Sequence, residues 1–242
     1  MTARVCLIAA TALVTLLLTA CGTPPGAPEA VAPASAPAGD PAADWLLPRG
    51  QALALDSEAS RIEIRVYRAG RLAHLGHNHV IEVLGLDGRL KRVDEGSGVA
   101  ELRFRPDRLR VDGEAARLRA GEDFAQMPDA KAVSGTRANM LGEQVLDAGR
   151  WPEVRILARV ASLSPGEVPA DVQIYVRDVG RRYAVPLTVQ ADGDRVRVSG
   201  SLRLRQSDFG ISPFSVLGGA LQVRDEIDAV FQIVGRNSGR AM

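Results

Sequence analysis

From Ala52 onward, apolar and polar residues alternate with a period of two, the pattern of strands that bury one face and wet the other. Ile62, Ile64 and Val66 alternate with Arg61, Glu63, Arg65 and Tyr67, and Ala100, Leu102 and Phe104 with Glu101, Arg103 and Arg105. The same rhythm sets Val154, Ile156, Ala158 and Val160 against Glu153, Arg155 and Arg159, and Val172, Ile174 and Val176 against Asp171, Gln173, Tyr175 and Arg177. Val196, Val198, Leu202 and Leu204 follow among arginines, and then Leu221, Val223, Ile227, Phe231 and Ile233. Asp87-Gly88, Asp112-Gly113, Ser164-Pro165-Gly166 and Asp192-Gly193-Asp194 punctuate these runs as turns, which predicts short hairpins and an antiparallel sheet. Helices are expected only over about 132–145 and near 114–118.

About eight long strands with one apolar face each must bury that face against something. A sheet that curls onto itself does so and also removes its exposed edges. The fold class is therefore all-β, an extended eight-stranded antiparallel barrel with one or two short helices; a two-sheet sandwich is the alternative. The inward residues are Val, Ile, Leu and Ala, and the whole chain has only five phenylalanines. Such a lining either packs solidly or leaves room for one long apolar molecule.

The N-terminus breaks the pattern. A positively charged opening, Met1 to Arg4, precedes 14 apolar-rich residues, Val5 to Leu18. That run is short of the roughly 20 residues that span a bilayer, so 1–20 reads as a signal peptide. It ends in Leu18-Thr19-Ala20-Cys21, which looks like the lipobox of bacterial lipoproteins, with Cys21 as the lipidation site. Residues 21–44 hold six prolines among alanines and form a tether that reaches up to roughly 70 Å. Large apolar side chains first appear at Trp45-Leu46-Leu47-Pro48, so the folded domain is placed at 45–236, with a tail at 237–242. Cys6 leaves with the signal and Cys21 carries lipid, which excludes disulfides and thiol catalysis.

Arg4 is the one charged residue in 1–20, so the chain from Cys21 on carries equal numbers of basic and acidic side chains. A neutral surface offers no general attraction to nucleic acid. No Gly-x-Ser-x-Gly elbow, phosphate loop or paired catalytic carboxylates stand out, and Ser207 or Ser215 beside a histidine is a weak mimic of a nucleophile–base pair.

All three histidines fall within Leu72-Ala73-His74-Leu75-Gly76-His77-Asn78-His79-Val80-Ile81. On a strand, His77, His79, Ile81 and Val83 share a face, and the apolar pair marks it as inward. The same parity turns Gln206 and Asp208 inward with Leu202 and Leu204. Buried polar groups need partners, so His77, His79, Gln206 and Asp208 are expected to meet. Three roles stay open: a hydrogen-bonded network, a site for the polar head of an amphiphile, or a zinc or copper site made by His77 and His79 with His74 or Asp208 as the third ligand.

Four segments carry a resemblance. They are Leu55-Asp56-Ser57-Glu58-Ala59-Ser60 leading into the first long strand, and Leu146-Asp147-Ala148-Gly149-Arg150-Trp151-Pro152-Glu153-Val154. The hairpin Val176-Arg177-Asp178-Val179-Gly180-Arg181-Arg182-Tyr183-Ala184-Val185-Pro186-Leu187 and Arg205-Gln206-Ser207-Asp208-Phe209-Gly210-Ile211 complete the set. In this order they resemble the YceI-like family of periplasmic bacterial proteins, although the hairpin before Pro186 lacks that family's usual His-Gly-Val-Thr. The resemblance implies a lipocalin-like barrel that holds a polyisoprenoid lipid and catalyses no reaction. Taken with the inward parity of the histidine stretch and of the 202–208 segment, the expected ligand-binding residues are His77, His79, Gln206, Asp208, Ile81 and Phe209. With Gly22 after the cysteine, the expected location is the periplasmic face of the outer membrane, held by the N-terminal acyl anchor.

Overall fold

The computed structural model describes residues 34–35, 50–93 and 96–237. The signal peptide, Cys21, most of the tether, the Trp45-Leu46-Leu47-Pro48 boundary and the tail after Asn237 lie outside the described residues. The strands are β1 (Ala34–Ser35), β2 (Gly50–Leu55), β3 (Arg61–Ala69), β4 (His79–Glu82), β5 (Asp87–Val93), β6 (Gly98–Phe104) and β7 (Arg110–Val111). Two helices follow, α1 (Glu114–Ala120) and α2 (Ala130–Leu141). The remaining strands are β8 (Val154–Val160), β9 (Gly166–Val176), β10 (Val179–Asp192), β11 (Arg195–Arg205), β12 (Ser215–Val216) and β13 (Leu221–Asn237).

Eight of these strands close a barrel in the order β2-β5-β6-β8-β9-β10-β11-β13 and back to β2, every pairing antiparallel. The predicted barrel is the fold found. The 17 residues of β13 tie it together, with β11 along one edge and β2 then β3 along the other. Between β2 and β3 the chain turns on Asp56, whose Oδ1 accepts the Ala59 N–H at 3.1 Å. At the lower end of the barrel, β2 begins and β13 finishes. At the upper end, β3, β4 and β7 extend past the closed wall, and both helices pack there. The ladder between β10 and β11 covers only Thr188–Asp192, and Ala34–Ser35, from the proline-rich segment, pairs with Arg182 and Arg181 farther up β10.

Asp192-Gly193-Asp194 makes the expected tight hairpin, with Gly193 at φ 57°. Asp87-Gly88 does not turn. It begins β5, where Gly88 pairs with Leu102, and a Cβ at Gly88 would lie 2.5 Å from the Glu101 carbonyl oxygen. The glycine serves close approach between strands rather than a reversal of the chain. Helix α2 starts two residues before the predicted position because Asp129 Oδ1 caps the Ala132 N–H at 2.7 Å. Among the described residues, no helix is long and apolar enough to cross a membrane.

Candidate functional site

The barrel core is not uniform from end to end. The upper half is filled by large side chains, Phe104, Phe209, Met140, Tyr183 and Ile211, all buried. The lower half holds a cavity of about 120 Å³. Its wall comes from inward positions of all eight barrel strands, and small residues recur there: Gly98, Ala100, Ala158, Ala229 and Gly235. Ala100 and Ala158 are direct cross-strand partners, so two short side chains face the space side by side. Lys91 is the one charged residue of the lining; the others are aliphatic, Phe231 or glycine. At about 10–15 Å³ for each water-sized group, the space takes roughly ten such groups. An apolar lining offers water few partners and a single hydrocarbon chain many contacts.

The histidine stretch lies at the other end. His74 sits on a short 3-10 turn, Ala73–Leu75, before β4. His79 opens β4 on the same side as Ile81, as parity predicted, but it meets different partners. Its Nδ1 lies 2.6 Å from Asp112 Oδ2 and its Nε2 lies 3.2 Å from Thr136 Oγ1 on α2. With Asp112 ionised, Nδ1–H donates to the carboxylate, and in the neutral ring Nε2 accepts from the Thr136 hydroxyl. Asp112 also accepts the Val80 N–H at 3.0 Å and an Nη1–H of Arg117, a buried side chain that reaches the Asn78 carbonyl as well. Burial alone would raise the Asp112 carboxyl, but the bonds from His79, Val80 and Arg117 outweigh it and hold the group below the usual carboxylate range. The result is a buried polar knot that joins β4, β7, α1 and α2, with Arg117 Nε its one group left without a partner among the described residues.

The expected meeting of His77 and His79 with Gln206 and Asp208 does not occur. Gln206 and Asp208 leave the strand for a 3-10 turn, Gln206–Phe209, so the parity of β11 no longer applies to them. Gln206 Nε2 donates to the Arg224 carbonyl at 2.7 Å, and the turn packs against β10, β11 and β13. His77 has its ring centroid 6.2 Å from that of His79. Among the described residues, no three His, Cys, Asp or Glu side chains gather as a metal site, and the proposed set of His74, His77 and His79 is not brought together as one. Ile81 and Phe209 belong to the upper core. None of the six expected ligand-binding residues lines the cavity. The signal that marks it was present in the sequence as glycine or alanine at inward positions 98, 100, 158, 229 and 235.

The outer wall has its own polar features. Glu101 is 1% exposed although it faces outward, because Arg89 and Arg103 fold over it and bind both carboxylate oxygens. Tyr67 donates to Asp228 at 2.8 Å, and burial followed by that bond pushes its phenol up to about 12. Inside the upper barrel, the buried Tyr183 hydroxyl finds no hydrogen-bond partner among the described residues, and burial pushes this phenol up as well.

These features define a class: a lipocalin-like antiparallel barrel with an apolar internal cavity at one end and a helical plug at the other. Its fold is shared with BcnA of Burkholderia cenocepacia, at 14% identity and TM-score 0.55, over 75% of this chain and 99% of that one. It is shared also with a polyisoprenoid binding domain from Saccharophagus degradans implicated in plant cell wall breakdown, at 11% identity and TM-score 0.54, over 78% of this chain and 99% of that one. The YCEI protein of Campylobacter jejuni aligns more loosely, at 6% identity and TM-score 0.47, over 64% of this chain and 83% of that one. The fold is the YceI-like one. By sequence, neither a family model nor a curated protein matches the chain.

Proposed function

We propose that this chain is a binding protein for an isoprenoid or a similar amphiphile, with the apolar tail held in the lower half of the barrel and no reaction catalysed. The observation that carries the reading is the cavity wall, which is apolar throughout except for Lys91. Burial of apolar surface, at about 25 cal/mol per Å², is the one strong attraction such a wall offers. The polyisoprenoid binding domain with the same barrel supports the choice of ligand, as do the four sequence segments. A space for roughly ten heavy groups takes about two isoprene units, so a longer chain leaves its remainder and its head outside. In this reading Cys21 is acylated, and the barrel hangs from the periplasmic face of the bacterial outer membrane.

The test is organic extraction of the purified full chain followed by mass spectrometry, with titration of a fluorescent prenyl chain alongside. One amphiphile per chain, or saturable uptake of the probe, is expected. A chain that carries no lipid and takes up no probe would sink the reading. Labelling of cells with radioactive palmitate checks the anchor: the wild-type chain takes up label and Cys21→Ala does not.

A further inference from the structure

We propose that Leu163 is a stopper at the lower end of the barrel, displaced when an apolar chain enters; this rests on the binding function above. Leu163 belongs to no strand. It sits in the loop between β8 and β9, and from Ala161 to Pro169 it is the one buried residue, 7% exposed. Its side chain turns back into the barrel and forms part of the cavity wall. The seat is made by Gly98, the first inward residue of β6. A Cβ there would come within 2.9 Å of Leu163 Cδ2, so any larger residue makes the leucine shift in its seat.

Across from the seat, Gly235 is another inward glycine at the same end, with Leu53 and Leu90 close against it. Two inward positions at this rim thus carry no side chain of their own, and Leu163, borrowed from a loop, covers the one at Gly98. The upper end offers no comparable way in, because Phe104, Phe209 and Met140 fill it beneath α2.

The loop is built to let go. Its bond to the neighbouring hairpin is Leu163 N–H to the Gly96 carbonyl, at 2.6 Å, while Ser164 N–H turns onto Ser162 Oγ within the loop itself at 3.0 Å. Swinging Leu163 out costs that bond and the exposure of one leucine side chain. It opens the rim without breaking a barrel ladder. The ligand this favours is a single unbranched or prenyl chain entering tail first, its polar end left at the lower rim. About ten carbons fit with Leu163 seated; a longer tail needs the seat as well.

Stopped-flow uptake of a fluorescent fatty acid by the full chain, with unlabelled saturated fatty acids of eight to sixteen carbons as competitors, tests this. Leu163→Ala should raise the association rate about ten- to a hundredfold, the equivalent of one leucine's burial, and shift the preferred chain length upward. Leu163→Val, which keeps most of the seat filled, should fall between, so that the series reads out even where the alanine variant folds poorly. Ser164→Ala, exposed in the same loop, should match wild type. Binding by wild type with unchanged rate and chain-length preference in both Leu163 variants would overturn the stopper and leave the binding function standing. If wild type takes up no chain of any length, both fail.

Discussion

His79 Nδ1 lies 2.6 Å from Asp112 Oδ2, at the point where β4, β7 and both helices converge. The imidazole that looked most like chemistry in the sequence is a joint. Asp112 sits at φ 56°, a left-handed conformation that aspartate and asparagine tolerate better than most residues, and it holds His79, Val80 and Arg117 together. Asp112→Ala leaves the buried Arg117 guanidinium without its counter-charge and strains the backbone, at a cost of about 3–5 kcal/mol. Asp112→Asn keeps an acceptor and the tolerated backbone, and should cost less. Urea denaturation of the three proteins ranks them. Ligand uptake in whichever variant stays folded should be unchanged, because the knot and the cavity occupy opposite ends of the barrel.

The same carboxylate sets an acid limit. Its folded-state pKa is depressed below the ordinary aspartate value, so the folded state favours the ionised form. The stability it contributes is fully present above the unfolded-state pKa of about 4 and is lost as pH falls through the lower folded-state value. Thermal unfolding followed from pH 7 to pH 2 should show melting temperature declining below about pH 4, with a shallower decline in Asp112→Asn. Parallel curves for the two proteins would place the acid limit elsewhere, Asp56, Glu101, Asp107 and Asp228 being other carboxyls held low by arginine.

Glu101 predicts an asymmetry. Its carboxylate is buried while its partners Arg89 and Arg103 are 63% and 40% exposed, so water already screens the cations. Deleting the acid frees two arginines that solvent can accept; deleting both arginines uncovers the outward-facing carboxylate to water, whereas deleting one leaves it covered by the other with one oxygen unpaired. Arg89→Ala should therefore cost about 1 kcal/mol, and adding Arg103→Ala should cost less than the sum of the two single losses. Strictly additive losses in chemical denaturation would mean that the carboxylate stays covered without its arginines.

Tyr183 tests a gap in the hydrogen bonding. A buried hydroxyl without a partner carries an uncompensated desolvation cost, so Tyr183→Phe should be neutral or stabilising by about 1 kcal/mol. A clear loss of melting temperature in that variant would show that an ordered water or a ligand group satisfies the hydroxyl in solution.

Strand alternation made the barrel legible because one wall of each strand faces oil and the other faces water, and that contrast is written residue by residue. Asp87-Gly88 was misleading because a glycine that permits close strand approach is spelled like one that permits a turn. For the candidate site, parity set His79 on the correct face, yet parity says nothing about which end of a barrel a residue occupies. Gln206 and Asp208 escaped it altogether once the chain coiled into a 3-10 turn at the end of β11. Asp112 and Thr136, the true partners of His79, lie 33 and 57 residues away, and no local pattern points to them. The cavity was written as small residues on the inward face, a deficit of volume that shows only when opposing strands are laid side by side.

That deficit can be filled. Ala100 and Ala158 face each other across the β6–β8 ladder and both line the cavity. Ala158→Leu adds three carbons to a space for roughly ten groups, and Ala100→Leu with Ala158→Leu adds six. A packed interior gains contacts when a void is filled, so the melting temperature should hold or rise, the gain reaching about 0.5–2 kcal/mol where the new side chains fit without strain. Uptake of a fluorescent prenyl or fatty chain should fall about tenfold in the single variant and further in the double. Stability and binding thus move in opposite directions, a result that general damage to the barrel does not produce. If the double variant bound the probe as well as wild type while remaining folded, the lower half of the barrel would not be where the chain is held.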